Sequence, residues 1–150
     1  MSKQDEAELI LKLYDLRREA TMRKARDWYF AEFNPQSMAD VASAMFSEHG
    51  AYVRMVWSYW DMAAALVNYG SLDMDLFNST NYEHLAVFSK IEVILADARA
   101  HLGPQLLVNL EKLIDATPDG RKKTEMMRER MKEMGPRIAA ARAAQTANRN

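Results

Sequence analysis

The sequence predicts an all-α fold: a helical bundle of about five to six helices around a central apolar helix at residues 51–69. Three observations predict it. The segment AYVRMVWSYWDMAAALVNY at 51–69 is apolar almost all the way round, and a helix with so wide an apolar surface must be covered on several sides. The 5 Gly and 4 Pro fall between stretches whose apolar residues recur every three or four positions. No strand-type alternation, glycine-rich phosphate loop or internal repeat interrupts them. With 150 residues, the chain is long enough for one core, so residues 1–144 are expected to form a single domain and 145–150 a frayed tail.

The elements follow in order. Ser2 can cap a first helix running to about Glu32, where Asn34-Pro35 ends it. Ser37 followed by Asp40 predicts a capped second helix ending near His49-Gly50. The central helix stops at Gly70, a natural left-handed cap, and SLDMDLF at 71–77 reads as a turn leading into one helical turn. Asn81 can cap a fourth helix whose Val87, Phe88, Ile91, Ile94, Leu95, Ala98 and Leu102 form one stripe up to Gly103-Pro104, with His84 on that core stripe near its start. A fifth helix is expected from Pro104 to about Ala116, followed by a TPDG loop at 117–120. Beyond the loop, a highly charged helix over 121–134 carries Met127, Met131 and Met134 on one side, extended by Ile138. That spacing is the heptad-like mark of a packing seam.

Composition excludes several chemistries. With 0 Cys, there are no disulfides, thiolate metal sites or thiol nucleophiles. The charged N-terminus MSKQDEAELI lacks an apolar signal core, which predicts a cytoplasmic protein. A membrane span at 51–70 is disfavoured by Arg54 and Asp61, each costing a few kcal/mol at membrane depth. The net charge of -1 hides an asymmetry. Residues 121–150 carry nine Lys and Arg against three Glu, which from totals of 20 and 21 leaves 11 basic and 18 acidic residues elsewhere. The basic C-terminal helix should therefore pack on an acidic surface, its own or a second subunit's. Nucleic-acid contact fits less well, because no aromatic is interleaved with those charges.

Catalytic signatures are absent. Ser58, Ser89 and Thr124 stand in no nucleophile motif, and Asp97 with His101 supplies two metal ligands where a site needs more. No metal or cofactor is expected. The Glu-x-x-His pairs of a di-iron bundle are missing as well.

The polar residues of the central helix offer the one possible site. Arg54, Ser58, Asp61 and Asn68 fall within an arc of roughly 80° at the helical repeat. On the first helix the line through Leu9, Leu13, Leu16 and Ala20 continues to Arg23 and Asp27, so charge enters the apparent core stripe. Antiparallel packing would pair Asp27 with Arg54 and Arg23 with Asp61. Such buried pairs usually fix register. Alternatively, Arg23, Asp27, Arg54 and Asp61 line a small polar pocket walled by Trp57, Trp60 and Tyr14, able to hold a small-molecule ligand.

Two stretches carry a resemblance: LYDLRREATMRKARDW at 13–28 and YWDMAAALVNYGSLDMDLF at 59–77. In the second, Trp60, Asp61, the apolar run 63–67, Gly70, Leu72 and Asp73 form the pattern. The chain thereby resembles a family of small bacterial helical proteins described only as a domain of unknown function. The resemblance implies an all-α fold and a bacterial source, and supplies no activity. Some members look as though they carry an N-terminal membrane anchor, from which this chain departs.

Taken together, the residues predict a non-enzymatic interaction protein, a homodimer associating through Met127, Met131, Met134 and Ile138. The alternative is a small-molecule-binding bundle using the cluster around Arg54 and Asp61.

Overall fold

A computed structural model describes residues 2–149, all-helical as predicted, with nine α-helices and one 3₁₀ turn among the described residues. They are α1 (Lys3–Arg17), α2 (Ala20–Ala31), α3 (Met38–Met45), α4 (Gly50–Asn68), α5 (Met74–Thr80), α6 (Glu83–Ser89), the turn Glu92–Ile94, α7 (Leu95–Leu102), α8 (Val108–Ala116) and α9 (Gly120–Arg149). The expected central helix is α4. It buries Val53, Val56, Trp57, Tyr59, Trp60, Ala63, Ala64 and Val67. α2 and α8 pack along it, α3, α5 and α6 contact it at further points, and α9 lies on α6.

Several local signals act as predicted. The Ser2 hydroxyl accepts from the Asp5 N–H while the Asp5 carboxylate accepts from the Ser2 N–H, a reciprocal cap. At the end of α4, Gly70 takes a φ of 85°, and the N–H groups of Ser71 and Gly70 donate to the carbonyls of Leu66 and Val67. α3 stops at Met45, earlier than expected, because the chain turns there to bring Gly50 against it. A Cβ on Gly50 would lie 2.2 Å from the Met45 carbonyl oxygen.

Two long helices predicted from the sequence are each divided. The first breaks at Arg18-Glu19, where the Glu19 carboxylate accepts from the N–H groups of Thr21 and Met22 and so starts a new helix. Arg26 donates to the Arg17 carbonyl that the break leaves free. This restart resets the helical phase. α2 buries Met22, Ala25 and Tyr29, and Arg23 and Asp27 face solvent instead of the core. The fourth helix breaks after Ser89, whose carbonyl accepts from Arg128 of α9, while Lys90 turns toward the end of α2.

α9 is continuous through Pro136, and residues 145–149, expected to fray, are helical; Asn150 lies outside the described residues. Its base is tightly seated. A Cβ on Gly120 would meet the Ile114 carbonyl oxygen at 1.8 Å. The basic helix meets the acidic body along its first turns: Arg121 pairs with Glu92, Glu111 and Asp115, and Arg128 with Glu92. From Lys132 to Arg149 every residue is exposed.

Candidate functional site

The residues singled out from the sequence do not converge. Asp27 pairs with Arg142 of α9 at 3.2 Å, and neither of the predicted pairs, Asp27 with Arg54 or Arg23 with Asp61, forms. The physical cause is the reset at Glu19, which turns Arg23 and Asp27 away from α4. They line a surface depression of about 680 Å³ shared with Arg26, Phe30 and Glu83. Arg54, Trp57 and Asp61 line another, of about 470 Å³, together with Leu106 and Leu107. Tyr14 is half exposed and lies at neither.

Asp61 and Asn68, the inner half of the polar seam, serve α8. Leu107 has a left-handed backbone, φ 54°, and provides no side-chain cap, so the first N–H groups of α8 need an acceptor from elsewhere. The Asp61 carboxylate accepts from the Leu110 N–H at 2.9 Å and from Asn109 Nδ2 at 3.0 Å. Asn68 Nδ2 donates to the Asn109 carbonyl. Arg54 and Ser58, the outer half, are exposed.

The two tryptophans differ. Trp57 Nε1 donates to the Tyr29 hydroxyl, which donates to the Val87 carbonyl, tying α4, α2 and α6 together in the core. Burial raises the Tyr29 phenol well above its ordinary range, so it stays a neutral donor. Trp60 is 1% exposed and its Nε1 has no partner among the described residues.

Three residues take contacts that the sequence does not assign to them. His84 is buried between the rings of Trp60 and Phe77, with neither nitrogen hydrogen-bonded; burial, assisted by the charge of Arg17, lowers it to about 4. Lys90 is also buried. Its ammonium donates to the carbonyls of Tyr29, Phe30 and Phe33 and to Asn34 Oδ1, closing the end of α2, and burial lowers it to about 8. Arg17 ends α1 with its guanidinium 5.2 Å from the Trp60 ring centroid. Periodicity places His84 on the core stripe, but it carries no sign of these contacts, because each depends on which helices meet.

Another groove lies between α9 and the body. It has about 490 Å³, with Phe30, Ala31 and Ala86 on one wall, Met131, Met134, Ile138 and Ala139 on the other, and Lys90 at its floor. Among the described residues no group of three or more His, Asp or Glu side chains is placed to hold a metal ion, and no helix is long and apolar enough to cross a membrane.

A family model described as "Domain of unknown function" (DUF4760) matches residues 5–117, which run from α1 to the end of α8 and stop short of α9. No curated protein and no solved structure matches the chain.

Proposed function

The chain belongs to the family described as Domain of unknown function (DUF4760), and from that premise we propose that it is a non-enzymatic helical interaction protein that pairs with a second copy of itself through α9. The observation that supports this is the state of α9 beyond Met131. Every residue from Lys132 to Arg149 is exposed, yet the helix continues, with Met134 at 42% and Ile138 at 45% exposure on the seam that begins at Met127 and Met131. Met127 and Met131 are already half-buried against the body, so Met134 and Ile138 are the members left to a partner. A helix of that length gains little from its own backbone in water and gains more by covering an apolar face. A second copy would cover the two side chains together with the groove they form opposite Phe30 and Ala31. Light scattering on the full chain tests this: the wild type should have the mass of a dimer, and Met134→Glu with Ile138→Glu should halve it. A wild type that stays monomeric at tens of micromolar removes the proposal.

A second reading, a small-molecule-binding bundle, draws on the depression that Arg54, Trp57 and Asp61 share. Trp57 forms part of its wall, so a ligand seated there should change tryptophan emission in the wild type and fail to do so in Arg54→Ala. Equal responses in the two would rule out that site.

A further inference from the structure

Arg17 stands apart from the other arginines. Arg26, Arg99, Arg121, Arg128 and Arg142 each pair with a carboxylate. Arg23 and Arg54 have no such partner among the described residues, but both are exposed and therefore hydrated. Arg17 is half-buried, and among the described residues no carboxylate pairs with it. Its guanidinium lies over Trp60 at 5.2 Å and Tyr14 at 5.5 Å, and its hydrogen bond is to the neutral Asn81 side chain at 3.0 Å. Four of its five N–H donors are thus left over. A cation partly removed from water without a counter-ion is costly, and such a position suits an anion from outside.

Space for one is present beside it. Where the break between α1 and α2 faces the turn from α5 to α6, a pocket of about 480 Å³ opens, within the size range of small-molecule sites. Arg17, Arg18 and Arg26 all line it. Glu83 neutralises Arg26 by accepting from both Nε and Nη2, and the remaining Arg26 Nη1 donates to the Arg17 carbonyl. Arg18 is exposed and has no acidic partner among the described residues, so two uncompensated guanidinium groups face one cavity. Tyr14, Tyr82 and Met127 of α9 also line it. Behind Arg17 the buried His84 is held neutral and adds no charge of its own.

We propose that this pocket binds a small organic anion whose carboxylate or phosphate group pairs with Arg17 and Arg18 and whose body lies against Tyr14 and Tyr82. The site shares Met127 with the α9 seam but neither Met134 nor Ile138, so anion binding and self-association are read by separate variants.

Calorimetric titration of the full chain with inorganic phosphate, citrate and phenyl phosphate tests it, in a buffer free of multivalent anions. At least one of the three should bind with one site per chain, and phenyl phosphate should bind more tightly than inorganic phosphate. Arg17→Gln should weaken the interaction by at least about tenfold, with Arg130→Gln, at an exposed position on α9 away from the pocket, unchanged. No saturable heat for all three anions at millimolar concentration overturns the proposal, as does full affinity in Arg17→Gln. Should Arg17→Gln fail to fold, Arg18→Gln at its exposed position takes its place with the same two outcomes.

Discussion

The Asp61 carboxylate on α4 accepts the Leu110 backbone N–H at 2.9 Å, and so caps a helix that its own sequence leaves uncapped. Asp61→Ala should therefore lower stability by about 1–2 kcal/mol, the usual worth of a helix cap with some gain from its charge. Urea denaturation reads the loss. Asp61→Asn, which keeps an acceptor oxygen, should recover part of it, and an unchanged midpoint in Asp61→Ala would show that the contact carries no weight.

His84 makes the fold acid-labile. Its folded pKa of about 4 lies below the ordinary 6.5, so the unfolded chain takes up a proton that the folded one refuses between those values. This contribution is fully present above pH 6.5 and is lost as pH falls through about 4. The urea midpoint of the wild type should fall across that interval by more than that of His84→Phe. The difference in slope should approach about 1.4 kcal/mol per pH unit, and parallel curves would contradict the assignment.

Lys90 closes the end of α2 through four oxygen acceptors. Lys90→Met keeps the length and strips the donors, leaving buried carbonyls unpaired at about 1–3 kcal/mol each for those that water cannot reach. Thermal unfolding should show a large loss of stability. Because the folded pKa of Lys90, about 8, lies below the ordinary 10.5, its own contribution to wild-type stability should rise between those pH values, and Lys90→Met should lack that rise.

Gly120 seats α9. With a Cβ placed 1.8 Å from the Ile114 carbonyl oxygen, Gly120→Ala forces the helix off the body and should cost about 1–3 kcal/mol or more, as overpacking does. Hydrogen exchange should then quicken at the base of α9. Gly135→Ala is the control, since nothing lies within 4 Å of a Cβ there.

Much of this architecture is written locally. The apolar width of α4, the caps at Ser2 and Ser37, the left-handed Gly70 and the TPDG loop each depend on residues within one or two turns, and periodicity finds them. The site was less legible. No Gly or Pro marks the break at Arg18-Glu19; a Glu side chain makes the new cap, so a wheel drawn straight through places Arg23 and Asp27 on the wrong face. Asp61 does find partners inside the molecule, but on α8, and that depends on the left-handed Leu107. Arg17 over Trp60, His84 beside it and Lys90 at the end of α2 are meetings of distant segments with no sequence period.

Native mass spectrometry of the full chain tests self-association through α9 most directly. The wild type should give a species at twice 17.2 kDa, and Met134→Glu with Ile138→Glu should shift it to the single-chain mass. A wild type found only at 17.2 kDa, or a dimer indifferent to both substitutions, would contradict it.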